Sequence, residues 1–352
     1  MKNAVPIRTT PACFSRNELP GCRFHAHGVI NCLPLIALLA ACGGAFAQAT
    51  STGSGQAYPV KPIRIIVPAV PAGGTDILAR LLSPKLTELL GQSIIVENRG
   101  GASTNIGTEL VARAAPDGYT VLIATTPHAI NPSLFRKLPF DPINDFTMIS
   151  QLALTQNVLV VHPSLPVKDV KEFIALATAR PGQLTAATSG GTSAFLAVEM
   201  LKSMANLDIL NIPYKGAGLA LNDTIAGHVQ FQVNTLLAAL PFVQSGRLRA
   251  IAVCGLKRAA SLPDVPTVGE TIKGFEASGW YALLGPAGMP SDAVMKLYDA
   301  FSKALRSPEI TRRLAEFSVE VVAGSPDELT RLMPREITKW AAVVKSSGAK
   351  PE

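Results

Sequence analysis

The stretch VPAVPAGGTDILARLL (residues 67–82) joins an apolar run to a helical pattern through a pair of glycines, Gly73 and Gly74. The run at residues 63–67 predicts a buried β-strand, and the apolar spacing behind the glycines predicts a helix over residues 75–90. Glycines at such a junction let the backbone turn sharply and come close to a bound group. The free N–H groups and the positive dipole end of the helix face the same point, so the junction predicts a site for an anion such as a carboxylate or a phosphate.

A purely structural explanation of these residues stays open. Two glycines before a helix often form only a turn. Thr75 can cap the helix, and Asp76 can pair with Arg80 one turn later. In that case the segment holds no ligand.

The alternation of strand and helix patterns continues along the chain and predicts the fold class. Strands are expected at residues 63–67, 93–97, 120–124, 158–161, 184–187, 209–212, 229–233, 249–253 and 280–284. Helices are expected at residues 75–90, 104–114, 168–179, 193–205, 217–226, 292–306, 308–317 and 326–346. Such alternation is typical of α/β proteins with parallel sheets and helices on both faces. The strand and helix patterns run from residue 63 to residue 346, which is long for a single sheet of this kind. We therefore expect two α/β lobes.

Residues 1–47 have the pattern of an export signal rather than of a folded domain. Basic residues precede the apolar run VINCLPLIALLAAC (residues 29–42), which is short for a membrane span, and residues 45–47 form an A-x-A cleavage site. A second interpretation is a lipoprotein signal, because the sequence LAACG at residues 39–43 would place a lipid on Cys42. A plain membrane anchor is the third. Residues 48–57, which are rich in Ser, Thr and Gly, are expected to form a tether.

The composition argues against several classes of protein. The predicted leader holds four of the 32 basic and one of the 25 acidic residues, so the remaining chain has a net charge of +4, spread along its length. This mild surplus does not favour nucleic acid as a partner. Four of the five cysteines lie in the leader. The remaining one, Cys254, allows no internal disulfide, and we expect it to be a buried apolar residue.

The sequence also lacks the common signatures of enzymes. The histidines after the leader, His128, His162 and His228, do not have the spacing of metal ligands. The sequence contains neither a Walker loop nor a G-x-S-x-G nucleophile elbow. We therefore predict no catalytic residue, no metal and no cofactor, and expect a binding protein rather than an enzyme.

Several motifs, in this order, together resemble one known family. They are YPVKPIRIIVPAVPAGGTDILARLL (residues 58–82), GQSIIVENRGGASTNIGTELVARAAPDGYTVLIATTPHAINPSLF (91–135), LPFDPINDF (138–146), IPYKGAGLAL (212–221) and LPDVPTVGE (262–270). In these motifs the chain resembles the Bug family, the periplasmic substrate-binding proteins of tripartite tricarboxylate transporters. The resemblance runs from about residue 58 to residue 348.

The resemblance implies a fold and a function. The fold would be that of a type II periplasmic binding protein, in which crossover strands join two α/β lobes, here residues 58–157 with 281–352 and residues 158–280. The interlobe cleft would hold a small carboxylated solute for the membrane permease subunits of a tripartite transporter. A receptor that presents its ligand to a sensor protein, without transport, is the alternative. The chain would work in the periplasm as a monomer, either free or lipid-anchored through Cys42.

The resemblance also implies ligand-binding residues in loops of both lobes, which would hold a carboxylate through backbone amides and hydroxyls. These residues are Val70, Pro71, Ala72, Gly73, Gly74, Thr75, Asp76, Thr125, Thr126, His128, Gly190, Gly191, Thr192, Ser193, Tyr214, Lys215, Asn234 and Thr235. Structural alternatives stay open for two groups. Residues 125–128 can form a hydroxyl-stabilised turn with a surface histidine, and residues 214–216 can form a strand–helix turn with a solvated lysine.

The chain departs from the family's usual pattern at four positions. Ala69 stands in place of an aromatic residue, Ala72 in place of glycine, Phe195 in place of histidine and Asn234 in place of an acid. The first change would widen the pocket, and Phe195 would make its wall more apolar. Asparagine at residue 234 disfavours an amino-acid ligand. The pair at residues 280–281 is expected to be a packing or hinge element.

Overall fold

The computed structural model describes residues 58–350, which contain eleven strands and eleven helices. The strands are β1 (Ile63–Val67), β2 (Ile94–Asn98), β3 (Thr120–Thr125), β4 (Phe146–Thr155), β5 (Asn157–Val161), β6 (Thr185–Thr188), β7 (Leu210–Pro213), β8 (Phe231–Thr235), β9 (Arg249–Val253), β10 (Gly279–Pro286) and β11 (Glu320–Val321). The helices are α1 (Gly74–Leu90), α2 (Asn105–Ala112), α3 (Pro127–Leu134), α4 (Val170–Ala179), α5 (Ser193–Ala205), α6 (Ala217–Ala226), α7 (Leu236–Gln244), α8 (Val268–Thr271), α9 (Ser291–Leu305), α10 (Pro308–Glu316) and α11 (Pro326–Ser347).

The strands form two sheets. The first sheet has the order β11-β4-β10-β3-β1-β2, and the second has the order β7-β6-β8-β5-β9. In the first, β1 is parallel to β2 and β3, whereas β10 is antiparallel to β3 and β4. In the second, β6 is parallel to β7 and β8, whereas β5 is antiparallel to β8 and β9. Both sheets are therefore mixed, and the prediction of parallel sheets is wrong for part of each.

The antiparallel pairs have a topological reason. The chain leaves the first sheet at the end of β4, enters the second sheet in β5 two residues later, and returns to the first sheet in β10. Every antiparallel pair includes one of these three strands. Two parallel neighbours in a sheet are joined by a crossover connection, usually a helix. The chain enters or leaves β4, β5 and β10 by passing from one sheet to the other, so these strands are free to run antiparallel to their neighbours. The predicted lobe boundaries at residues 157 and 280 stay a prediction.

Each sheet packs against helices through an apolar core. Leu78, Leu82 and Leu86 of α1 repeat at four-residue spacing and are fully buried in the core of the first sheet. In the core of the second sheet, Phe173 of α4 meets Phe231 of β8 edge to face, with ring centroids 4.9 Å apart. Burying such a side chain stabilises the fold by about 1.5–3 kcal/mol. These layers hold the strand ends and the helix starts in fixed positions.

Helices α3 and α7 and strand β4 are missing from the sequence-based expectation. Helices α3 and α7 contain Pro132 and Pro241, and a proline inside a helical pattern indicates a break in most sequences. Strand β4 contains the polar pair Ser150 and Gln151. Ser150 is fully buried, and its hydroxyl donates to the backbone oxygen of Gly324 at 2.7 Å, which compensates its burial. Within residues 58–350, no helix has both the length and the apolar character that crossing a bilayer needs.

Candidate ligand-binding cleft

A cleft of about 650 Å³ lies where loops of the two sheets face each other. Its wall comprises residues 68–70, 73–75, 100–104, 125–127, 155, 157, 189, 190, 192–194, 213–217, 234, 235 and 279–281. Most of these residues directly follow the carboxyl ends of the parallel strands β1, β2, β3, β6, β7 and β8. Open α/β sheets bind ligands at this position.

Six helices begin at the cleft. The N-cap residues of α1, α2, α3, α5, α6 and α7 all belong to its wall, and they are Gly73, Thr104, Thr126, Thr192, Gly216 and Thr235. Of these six, only Thr192 caps its helix with its own side chain, which accepts a hydrogen bond from the backbone N–H of Phe195 at 3.0 Å. The first N–H groups of an α-helix lack intrahelical partners and carry the positive end of the dipole. The wall therefore offers polarised N–H groups to an anion from both sheets.

The wall contains no acidic side chain. Asp76, in the first turn of α1, does not line the cleft and is almost fully buried. Its carboxylate accepts hydrogen bonds from the backbone N–H of Ala72 at 3.0 Å and from Arg80 Nε at 2.9 Å. Burial opposes ionisation, but these hydrogen bonds hold the pKa of Asp76 below its ordinary value. Its charge is neutralised by these partners, which is the structural alternative that the sequence left open.

The second glycine of the opening stretch, Gly74, lies against two hydroxyls. A β-carbon there would lie 2.6 Å from Tyr281 Oη and 2.7 Å from Thr235 Oγ1. The other glycine, Gly73, has room, because the nearest atom to its β-carbon position is the backbone oxygen of Val70 at 3.7 Å. Since Gly73 is buried and belongs to the wall, this free space is the cleft itself.

Replacing Gly74 by alanine is expected to lower the free energy of unfolding by about 1–3 kcal/mol, because the methyl group overpacks a closed site. Chemical denaturation measures this difference. Gly73→Ser is the control, since serine caps helices well and has room at that position, and its effect is expected to stay within about 0.5 kcal/mol. Equal stabilities of the Gly74→Ala variant and the wild type would show that the site relaxes without cost.

Residues 78–349 match the family model described as tripartite tricarboxylate transporter family receptor. The chain belongs to this family. It is 35% identical over 301 residues to Protein BugT of Bordetella pertussis, an alignment that covers 84% of this chain and 92% of BugT. It is also similar to two solved structures. Rpa4515 of R. palustris with adipate has a TM-score of 0.81 and 35% identity, over 84% of this chain and 100% of that one. MatC (Rpa3494) from Rhodopseudomonas palustris with bound malate has a TM-score of 0.78 and 31% identity, over 82% and 100%.

Family membership confirms the predicted fold class and the general function. Members of the tripartite tricarboxylate transporter receptor family are periplasmic solute-binding proteins, and the two sheets of this receptor correspond to the two lobes of their fold. Because the two lobes face each other across the cleft, contacts between the first and second sheets at the cleft are contacts between lobes.

The structure brings most of the predicted site residues of this receptor together in the cleft wall. Thirteen line it, namely Val70, Gly73, Gly74, Thr75, Thr125, Thr126, Gly190, Thr192, Ser193, Tyr214, Lys215, Asn234 and Thr235. The other five lie outside the wall, and they are Pro71, Ala72, Asp76, His128 and Gly191. Pro71 and Ala72 lie in an exposed turn beside α6, where a β-carbon on Gly218 would lie 3.0 Å from the backbone oxygen of Pro71.

The structure contradicts the prediction that His128 faces the ligand. Its ring is buried, stacks beside Phe140 and meets Phe146 edge to face. Its Nε2–H donates to the backbone oxygen of Pro142 at 2.8 Å, and Nδ1 is buried without a hydrogen-bond partner among the described residues. Burial lowers the pKa of His128 to about 4. The reason is that residues 127–134 form a helix, whose second residue turns into the core instead of continuing the loop.

Gly191 does not line the cleft because it packs against residues of the opposite lobe. A β-carbon there would lie 2.7 Å from both Asn131 Oδ1 and Ser103 Cβ, and its φ of +73° favours glycine. Asn131 donates in turn to the backbone oxygen of Ser103 at 2.7 Å and to Asn105 Oδ1 at 2.8 Å. The contact therefore joins the predicted loop of the second lobe to a fixed loop of the first.

The loop at residues 100–104 is the main part of the wall that the predicted site omits. Three successive residues, Ala102, Ser103 and Thr104, have positive φ, at 45°, 52° and 77°. Such conformations are uncommon for residues with a β-carbon and persist where the surroundings enforce them. A usable signal exists in the sequence, because Gly100 and Gly101 stand between a strand and a helix, as the opening glycine pair does.

Two predicted polar contacts of the second lobe are already satisfied within the protein. The Tyr214 hydroxyl donates to Asp223 Oδ2 at 2.7 Å, and burial together with this acid raises the pKa of Tyr214 to about 12. Asn234 donates to the backbone oxygen of Ala217 at 3.3 Å, and its Oδ1 accepts from the Thr235 N–H at 2.7 Å. Both side chains therefore have internal partners that fix their positions in the wall.

The floor of the cleft consists of Thr155, Asn157, Thr235 and Tyr281. Thr155 and Tyr281 belong to the first sheet, and Asn157 pairs directly with Thr235 in the second. One polar side-chain atom of each residue is buried without a hydrogen bond of good geometry, although the Tyr281 hydroxyl lies beside both threonines. Buried polar atoms are costly to leave unpaired. The floor thus has unused hydrogen-bonding capacity.

Two apolar predictions have different outcomes. Trp280 and Tyr281, predicted as a packing element, are buried and also form part of the wall. The Trp280 Nε1–H donates to Glu336 at 2.8 Å, away from the cleft. Phe195, predicted to make the wall more apolar, lies instead in a core cluster with Trp280 and Leu196. Its place on the first turn of α5 turns its ring away from the cleft.

The lone cysteine after the leader is confirmed as a buried apolar residue. Cys254 is fully buried, and burial raises the pKa of its thiol to about 12. The predicted leader at residues 1–47, the tether and the lipidation of Cys42 lie outside the described residues and stay predictions, as does the monomeric state.

Proposed function

We propose that this receptor captures a small carboxylated solute in the cleft and delivers it to the membrane subunits of a tripartite transporter, without catalysing a reaction. The observation that carries the proposal is the ring of six helix N-caps around a wall that has no acidic side chain. Such a wall stabilises negative charge through N–H groups and helix dipoles. The adipate and the malate in the two similar structures support the same class of ligand.

Contacts between the lobes support a closing mechanism. Gly191 meets Ser103, and Gly216 meets the side chain of Val70, each so closely that a β-carbon would clash. These contacts exist only while the lobes lie together. A ligand that touches both lobes adds binding energy to this arrangement alone and so shifts the population toward closure. The membrane subunits would then recognise the closed surface.

The test is the melting temperature of the exported, purified protein in the presence of dicarboxylates, tricarboxylates, acidic amino acids and aromatic acids. A solute at about 100 times its Kd stabilises the folded state by about 2.7 kcal/mol, which is a shift of about 4 °C for a chain of this size. Each acid is paired with its amide. A shift with the acid that the amide does not cause is the expected result, whereas equal shifts would contradict carboxylate capture.

A further inference from the structure

Lys215 is the one residue of the described cleft wall that carries a formal charge. Its side chain is exposed at the rim of the cleft, as is Pro213, and its ammonium group has no ion pair or hydrogen bond within residues 58–350. Other cations on nearby elements have acidic partners. Arg64 and Arg99 pair with Glu97, and Arg80 pairs with Asp76. Within the wall itself, positive charge therefore comes from Lys215 and the helix N-termini.

The backbone on both sides of Lys215 is held in place. The N–H of Tyr214 donates to the backbone oxygen of Thr188 at 2.8 Å, and the Tyr214 hydroxyl is anchored on Asp223. On the other side, Gly216 packs against Val70 of the opposite lobe. The lysine side chain therefore extends from a fixed backbone position next to a contact between the lobes. Closure of the lobes brings this position to the first lobe.

Solvent exposure separates Lys215 from the buried starts of α1, α3 and α5 beside the floor. Thr155, Asn157 and Tyr281 of the floor are buried, as are Thr126 and Ser193 beside them, whereas Lys215 is exposed. A solute whose first carboxylate lies among the N-caps near the floor would direct its other end to the rim. A second carboxylate at that end would form an ion pair with the free ammonium group of Lys215. Such an ion pair is stronger in a closed cleft than at an open surface.

We propose that Lys215 is a specificity-determining residue that pairs with the second carboxylate of a dianionic solute, so that this receptor selects dicarboxylates over monocarboxylates and amino acids. The inference rests on the proposed function, because it assumes a first carboxylate at the N-caps. An amino acid fits poorly, since no acidic side chain lines the wall and the Asn234 carbonyl oxygen is occupied by the Thr235 N–H. The contrasting explanation is a solvated lysine without a role in binding.

The test is a two-by-two comparison by isothermal titration calorimetry. The ligands are adipate and its half-amide, adipamate, which has nearly the same size but one carboxylate. The proteins are the exported wild type and Lys215→Gln, with Lys257→Gln as a control for net charge, since Lys257 is exposed and lies outside the wall. Succinate and succinamate repeat the comparison with a shorter chain.

We expect Lys215→Gln to weaken the binding of at least one of the two diacids by about tenfold and that of its half-amide by less than twofold. The wild type should prefer that diacid to its half-amide by a similar factor, and Lys257→Gln should change neither. A Lys215→Gln variant that binds diacids as the wild type does, or that loses diacid and half-amide equally, overturns the role of Lys215 but leaves carboxylate capture intact. A wild type that binds neither diacid overturns the selection of dicarboxylates, whereas carboxylate capture is overturned only if no acid of the melting-temperature panel causes a shift.

Discussion

Replacing Gly73 by aspartate is expected to lower the affinity for a carboxylate ligand by at least about 100-fold, with little change in stability. Gly73 is the N-cap of α1, with an extended backbone (φ −81°, ψ 165°) that any residue adopts, and its β-carbon position opens into the cleft. An aspartate there accepts hydrogen bonds from the first N–H groups of α1, as a good N-cap does. It therefore occupies the groups proposed to hold the ligand.

The added charge accounts for most of the expected loss. Two like charges 4 Å apart repel by about 4 kcal/mol at an effective dielectric constant of 20, which is close to a thousandfold in affinity. Gly73→Asn is the matched control, because it has the same size and capping ability without the charge. Calorimetric titration with a diacid should place the asparagine variant within about tenfold of the wild type. If the aspartate and asparagine variants bind alike, the carboxylate does not lie at the start of α1.

The second large effect expected is a loss of stability in acid that depends on His128. Its pKa is about 4 in the folded protein, against about 6.5 in an unfolded chain. The unfolded state therefore binds the proton first as the pH falls, so stability is fully present above about pH 6.5 and is lost progressively toward pH 4. At pH 4 this difference amounts to about 3 kcal/mol of unfolding free energy.

The variant that isolates the contribution of His128 to the pH dependence of stability is His128→Gln. Its amide N–H can still donate toward the Pro142 oxygen, but the amide does not titrate. Chemical denaturation at pH 7.5 and pH 4.5 should give a smaller loss of stability for this variant than for the wild type, by about 2–3 kcal/mol. Replacing the exposed His228 by glutamine is the control for the loss of a histidine from the surface. A His128→Gln variant with the wild-type pH dependence would mean that the buried ring is protonated at its ordinary pKa.

Most strands that build the wall are readable from the sequence, because they are short apolar runs that lead into a turn with glycine or hydroxyl residues. Strand β9 and the helices α5 and α6 have their predicted bounds, and β1 does as well. The antiparallel strand β4 is not readable in this way. Its direction and its pairing with β10 depend on residues more than 100 positions apart, which a local pattern does not contain.

The same division appears within the site. Gly73 and Gly74 are predictable because a strand, a glycine pair and a helix follow one another in sequence, and the N–H groups of a helix start always point along its axis. Nothing in the sequence around His128 shows that its ring enters an aromatic cluster with Phe140 and Phe146. The loop at residues 100–104 has a local signal, yet its place in the wall depends on contacts with the other lobe.

The sequence by itself therefore determined that this receptor has α/β lobes, and it predicted the glycine-bearing strand–helix junctions as the place where an anion would bind. These features follow from the backbone, whose preferences are local. The tertiary structure decided which junctions share one cleft, that Asp76 and Tyr214 are satisfied by internal partners, and that Lys215 is left with a free charge. Those outcomes depend on which side chains meet through space, across residues that the chain order separates.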